Sequence, residues 1–510
     1  MTEGDSETTL RSNIEAVKTI VKTVKTTLGP LGRDKLLVDG GGNTIVTNDG
    51  ATILRELDVS HPAGKMIIEC SQTQESLCYD GTTTAVVLAG ELLTNSAALL
   101  NKGLHPNVVC KGYNDAATMA VDYLMNEIAL KNKEHSYVSD SPLDTNSHTE
   151  YAVAKTAITG KTVDAALDTV AHLCVSAVEK AGDADKVRVL CLPGGSLKDS
   201  YLFNGAIVNK DLVIEDEIDG DLHIVLLNGG LEPQKTEDNV TVQLDMQGYT
   251  QFKSSTNEGV LEQAKQISEH LPEGGLVFVR DGALDSVVNY LRKNNVHTIR
   301  NLPQSTMRAL SATLGLPVAQ TPSDIECAAQ AKVHKERHYD VNYIFVQGVV
   351  DSDQSTLVLR GATTTTLDEI ERGFDDALGV VSLVKNGDSV VPGGGSAYAA
   401  MASHLRSEAA SVSGRAQMAI EAFADSLEIV PATIAENGGQ DPLDCILALR
   451  HSIQDGVTDM GPDLEHEGIV SMLDNNVMEP VSLVRQAVLS ATEVTTSILK
   501  IDDMIAKRGE

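Results

Sequence analysis

A chain of 510 residues is too long to close around one hydrophobic core and calls for about three domains. Hydrophobic residues at 42% are enough for several packed cores and exclude a disordered chain. Lys and Arg number 40 against 72 Asp and Glu, a formal net charge of -32, which disfavours nonspecific attraction to nucleic acid or an anionic membrane surface and leaves any nucleotide in need of local cation help. The acidity fits a salty cytoplasm and an ordinary one equally well.

Met1 to Glu7 is polar and acidic, with no charged-then-apolar signal segment, and no apolar run reads as long enough for a membrane helix. The 7 cysteines are odd in number and lack C-x-x-C spacing, against both a disulfide framework and a structural zinc. The expectation is a reduced, cytoplasmic protein with neither nucleic acid nor membrane as partner.

Leu10, Ile14, Val17, Val21, Val24 and Leu28 step by four and three alternately, one core-facing stripe on a helix of about five turns that Gly29-Pro30 should stop. The turn Thr27-Leu28-Gly29-Pro30-Leu31-Gly32 follows. Next comes Thr47-Asn48-Asp49-Gly50-Ala51-Thr52, a polar turn with a carboxylate before an apolar run.

Cys78-Tyr79-Asp80-Gly81-Thr82-Thr83-Thr84 then runs straight into the apolar Ala85-Val86-Val87-Leu88. A helix from Ala85 would aim its free N–H groups and positive dipole end at the Gly81–Thr84 turn, with three hydroxyls as further donors, the arrangement that holds a phosphate. Asp80 would repel a bare phosphate and so points to a bridging Mg2+, a hard cation held by one or two carboxylates and phosphate oxygens. Alone, the same run is equally an ordinary helix N-cap.

Helical patterns continue to Leu130, pause over Lys131–Thr149 and resume from Tyr151 to Lys180. Residues 222–227, 276–279 and 341–346 read as short strands, the first two as buried strands of a parallel or mixed sheet, with helical patterns between them. From Asp368 the chain is again mostly helical to Lys507, and Val391-Pro392-Gly393-Gly394-Gly395-Ser396 is a glycine turn opening a helix near Ala397. Helical ends around an α/β middle suggest a discontinuous domain interrupted by an insertion.

These segments, in this order, resemble the group II chaperonins of archaea and the eukaryotic cytosol. The likeness covers Thr27 to Leu93 almost without a gap and resumes at Leu359–Val381 and Val391–Gly395. It closes with Val477-Met478-Glu479-Pro480, Gln486–Thr492 and Ile498–Ile505. It implies a multidomain α and α/β fold: an all-α equatorial domain (1–132 and 386–510), a small α/β intermediate domain (133–198 and 351–385) and an α/β apical domain (199–350) with a helical protrusion near 245–271. It implies an ATP-driven double ring of like subunits that encloses and folds non-native proteins. The alternative is a chaperonin-derived binding or structural subunit with weak ATPase. No G-x-x-x-x-G-K-[S/T] occurs, so a P-loop NTPase is set aside.

The resemblance also implies roles. Asp80 is the Mg2+ ligand; Gly29, Pro30, Gly81, Thr82, Thr83 and Thr84 line the phosphates of ATP or ADP, with Gly394 toward the ribose. Asp49 and Asp376 match the family's water-activating pair, Asp376 on a hinge segment far from Asp80 in sequence and brought in by hinge closure. Lys161 matches the lysine of the nucleotide-sensing loop, Glu479 an acidic residue near the adenosine, and Asp463 is a weaker candidate there. The chain departs from the family pattern at Tyr79, where glycine is usual; at Leu31, for a lysine; and at Tyr398, for a glutamate. Tyrosine at 79 is strained if that site needs a positive φ. Within 245–271, Met246, Tyr249 and Phe252 precede a short helix with Leu261, Ala264, Ile267 and Leu271 on one face, which either binds unfolded chains or neighbouring lids or packs locally.

Overall fold

The computed structural model describes residues 3–38, 40–42, 44–130, 145–161, 166–232, 259–338, 341–348 and 354–503. The chain forms two compact units: Met1–Val175 together with Asp368–Glu510, and Ser176–Leu367.

In the first unit, helix Glu3–Lys25 buries Leu10, Ile14, Val17, Val21 and Val24, so the stripe is core. The helix ends at Lys25, ahead of Gly29-Pro30, which shapes the turn that follows. Helix Thr82–Asn101 is the centre of the unit. Its Ala85, Val86, Leu88, Ala89, Leu92 and Leu93 are wholly buried, and it packs against Glu3–Lys25, Pro62–Cys78, Arg415–Leu427 and Val481–Leu499. A helix surrounded on all sides is apolar on all sides. By length and composition it is therefore long and apolar enough to cross a membrane, contrary to expectation, yet 61% of its apolar window is buried inside the protein. An edge-to-face contact between Tyr113 and Phe423, with ring centroids 5.5 Å apart and an interplanar angle of 75°, ties helix Pro106–Tyr123 to Arg415–Leu427.

Short antiparallel ribbons decorate this helical unit: Lys35–Val38 with Thr44–Thr47, Val390–Pro392 with Met478–Pro480, and Met460–Pro462 with Ile469–Ser471. Runs this short carry too little alternation to stand out from helical flanks.

The second unit is built on a six-stranded mixed sheet in the order Ala206–Val208, Val341–Gly348, Ala329–His338, Asp219–Leu227, Gly275–Val279, Val296–Ile299. Asp219–Leu227, Gly275–Val279 and Val296–Ile299 run parallel; the other pairings are antiparallel. The continuous apolar runs follow from burial on both faces. Ile224, Leu226, Leu276 and Phe278 meet Met307, Leu310 and Leu314 of helix Gln304–Leu314, while Val225, Leu227, Val277 and Val279 meet Val287, Val288 and Leu291 of helix Asp285–Lys293. Strand Ala329–His338 escaped the sequence reading because only Ala331 and Val333 are buried among its charged residues. A smaller three-stranded sheet joins Arg188–Pro193, Thr356–Gly361 and Tyr201–Phe203.

Of the segment 245–271, residues 245–258, with Met246, Tyr249 and Phe252, lie outside the described residues. Residues 259–270 are helical, and Ala264, Ile267 and Leu271 are buried in the core on one face of the large sheet, so local packing claims them, with Leu261 half-buried beside them.

Candidate functional site

Helix Pro62–Cys78 is closed by Tyr79, whose backbone is left-handed (φ 64°) and whose N–H donates to Glu75 O at 2.9 Å. A tyrosine held there costs on the order of 1–3 kcal/mol. Gly81 is left-handed as well (φ 78°) and opens the next helix, so Asp80 stands at the apex between two helices. Gln74 holds that apex by donating from Nε2 to Asp80 O at 3.0 Å and to Leu483 O at 3.2 Å.

The helix begins at Thr82, three residues earlier than expected, so Thr82, Thr83 and Thr84 form its buried first turn. No side chain caps it. Its leading N–H groups and its dipole are thus directed at the Asp80–Gly81 turn.

Three further turns converge here. A Cβ at Gly50 would collide with Thr83 Oγ1, which places the Asn48-Asp49-Gly50 turn on the threonines. Asp49 caps helix Gly50–Glu56, accepting from Ala51 N–H at 3.2 Å and Thr52 N–H at 2.8 Å. Asn48 Nδ2 donates to Gly160 O at 2.8 Å, and a Cβ at Gly160 would lie 2.6 Å from Pro30 Cα, so the loop after helix Thr145–Ile158 rests on the Gly29-Pro30 turn.

From that loop Lys161 forms an ion pair with Asp376 of helix Thr364–Lys385. Asp376, far from Asp80 in sequence, lies in the same cluster as Asp80 and Asp49. Burial works against the Lys161 ammonium, but Asp376, Asp80 and Asp49 together hold its pKa above the usual lysine value. Burial, reinforced by Asp80 and Asp49, raises Asp376 against the pull of Lys161. Three carboxylates share one ammonium, and the surplus is negative. Among the described residues no three His, Cys, Asp or Glu side chains converge into a complete metal cage. The donor set fits a hard divalent cation held by Asp80 and completed by phosphate oxygens and water.

On the other flank, strand Val390–Pro392 sets Val391 opposite Glu479. The Glu479 carboxylate accepts the Gly394 N–H; burial and the nearby Asp80 push its pKa up to about 7. Gly394 is left-handed (φ 61°), and a Cβ there would lie 2.5 Å from Met472 Sδ, so only glycine serves. Helix Ser396–Ala409 opens on Gly395, again without a side-chain cap. Met478 N–H donates to Thr156 Oγ1 at 3.1 Å, joining this flank to the helix that precedes Lys161.

Residues 20–508 match the model of the TCP-1/cpn60 chaperonin family. The thermosome subunit alpha of Halobacterium salinarum is 38% identical over 97% of this chain and 88% of its own length. A thermosome subunit of Methanopyrus kandleri is 38% identical over 98% and 92%, and the thermosome subunit alpha of Thermoplasma acidophilum 35% over 98% and 91%. The chain belongs to the chaperonin family.

It is a group II chaperonin subunit, an ATPase that couples hydrolysis to protein folding in a ring-forming complex. In this chaperonin the turns Gly29-Pro30, Asp49, Asp80–Thr84, Lys161 and Asp376 are brought together, with Gly394 and Glu479 alongside. The Asp463 carboxylate accepts Glu465 N–H at 3.0 Å and His466 N–H at 3.1 Å within its own loop. Leu31, at 50% exposure, points to solvent. Tyr398 is buried, and its hydroxyl finds no hydrogen-bond partner among the described residues; burial, then Glu479, Cys78 and Asp80, push its pKa well up. Sequence reasoning gave no role to Gln74, Asn48 or Thr156. Asn48 lay inside a quoted motif, whereas Gln74 and Thr156 sit mid-helix with no local signal.

Proposed function

We propose that this chaperonin subunit binds ATP and ADP with Mg2+ at the Gly81–Thr84 helix N-terminus and hydrolyses ATP with Asp49 and Asp376 orienting the attacking water. The observation that carries the reading is the uncapped start of helix Thr82–Asn101 beside a part-buried group of three carboxylates and one lysine. A resting protein gains nothing from that charge surplus; a divalent cation held at Asp80 would offset it.

Mg2+, held by Asp80, supplies neutralisation of charge on the phosphate oxygens. The Thr82–Thr84 N–H groups position those oxygens, and Gly29 and Pro30 form the opposite wall. Lys161 turns from Asp376 toward the terminal phosphate. Asp376 and Asp49, which flank Lys161 in the cluster, orient the attacking water between them. Gly394 and Glu479 take the nucleoside end. Asp463 is the weaker candidate there, its Oδ1 already accepting two backbone N–H groups of its own turn.

We assign the equatorial domain to 1–132 and 386–510, the intermediate domain to 133–198 and 351–385, and the apical domain to 199–350 with its protrusion near 245–271. Both chain ends lie in one compact unit and the large sheet in the other, which supports this division. Like subunits in a double ring and non-native proteins are the partners, and the cytoplasm is the compartment. Membership in a family of ATPases does not favour the weak-ATPase alternative. Asp80→Ala should lower Mg2+-dependent ATP turnover by about 10^3-fold. Unchanged turnover at saturating Mg2+ would remove Asp80 from the site.

A further inference from the structure

We propose that Tyr79 is a positioning residue: its ring, seated against Gly379, sets how closely helix Thr364–Lys385 approaches the phosphate turn and therefore where Asp376 stands. The proposal rests on the reading of Asp376 as a water-orienting group. Two independent observations carry it.

The first is conformational. Among the described residues four non-glycines have positive φ; three are Asn295, Asn301 and Asn476, and the fourth is Tyr79. Asparagine tolerates the left-handed region, whereas an aromatic side chain does not. A strained tyrosine beside Asp80 persists only if something around it holds it there.

The second is steric. A Cβ built on Gly379 would lie within 2.5 Å of Tyr79 Cβ and Cδ1, and closer still to Cγ. Gly379 stands well inside the helix Thr364–Lys385, where glycine is the poorest residue short of proline. Two locally unfavourable choices thus meet at one contact, each making room for the other.

Gly379 follows Asp376 by three residues, one turn along the same face of the helix. Tyr79 adjoins Asp80. The ring is therefore a spacer between the backbone that presents the metal-binding carboxylate and the backbone that presents the water-orienting one. In the nucleotide-free chain Lys161 sets the direction of the Asp376 side chain through their ion pair. The ring sets its depth. Chemistry that depends on in-line attack is sensitive to a shift of about 1 Å in such a group.

The experiment is steady-state hydrolysis of MgATP by assembled rings, with equilibrium nucleotide binding measured on the same preparations. Gly379→Ala should lower kcat by at least about tenfold while KM stays within about threefold, since the methyl group displaces the helix and not the nucleotide. Tyr79→Gly should also lower kcat at nearly constant KM, and Tyr79→Phe, which keeps the ring, should match the parent. The double variant Tyr79→Gly with Gly379→Ala should regain most of the kcat lost in Gly379→Ala, because the vacated space accepts the methyl group. Full kcat in Gly379→Ala, or a double variant no faster than Gly379→Ala, overturns the proposal. Should Gly379→Ala fail to assemble, the double variant must assemble and Tyr79→Gly must be slow; failure of either overturns it. Normal turnover in Asp376→Ala removes the underlying reading, whereas slow Asp376→Ala beside normal Gly379→Ala removes this proposal alone.

Discussion

Two aspartates in this chain begin helices with the same local chemistry and different surroundings. Asp441, exposed, caps Pro442–Gln454 by accepting Leu443 N–H at 2.8 Å and Asp444 N–H at 3.3 Å. Asp49, half-buried, caps Gly50–Glu56 in the same manner, but it also faces Lys161, Asp376 and the open start of Thr82–Asn101. The contrast repeats at the uncapped helices. Gly81 and Gly414 both open a helix with no side-chain cap, yet Gly414 is exposed and Gly81 lies in the cluster with Asp80. A cap or its absence therefore does not mark function; convergence with a second set of charges does.

The sharpest way to break that contrast is Asp376→Ala. Turnover should fall by about 10^2 to 10^3-fold with nucleotide affinity nearly unchanged, read by hydrolysis and equilibrium binding side by side. Loss of ATP binding instead would make Asp376 a structural partner of Lys161. Asp49→Asn is subtler, because Asn caps a helix as well as Asp does. Its thermal midpoint should stay put while kcat drops by about tenfold or more. Asp441→Ala is the control for capping alone: about 1 kcal/mol of stability lost, and no change in turnover per folded ring. A last effect concerns pH and leaves turnover aside. Glu479, raised to about 7 from its ordinary 4.5, is protonated in the folded chain and ionised in the unfolded one between those values. Stability should therefore fall as pH rises through that window and level off above it, and Glu479→Gln should flatten the slope in nucleotide-free denaturation curves.

The motifs made much of this site legible: glycine, hydroxyl and carboxylate runs are local, and their chemistry is written in adjacent residues. Elements with strong periodicity were legible too, such as the helix carrying Leu10 to Val24 and the strands at Gly275–Val279 and Val341–Gly348. What escaped was long-range. Nothing near Gly160 says that it lies on Pro30, and nothing near Gly379 says that a tyrosine 300 positions earlier occupies its missing side chain. Asp463, like Asp49, accepts two backbone N–H groups of its own turn, a local pattern that by itself decides no role.

The assembly of the first unit from both ends of the chain has a consequence for biosynthesis. Helix Thr82–Asn101 leaves the ribosome early, but one of the helices that enclose it, Val481–Leu499, is made about 380 residues later. At translation rates of roughly 5–20 residues per second, this apolar helix waits some tens of seconds for its last covering partner. The sheet of the intervening segment is complete well before then and can fold as a unit. A subunit of a folding machine is thus itself a demanding client during its own synthesis, with an unsatisfied helix whose aggregation risk ends only when the final residues emerge.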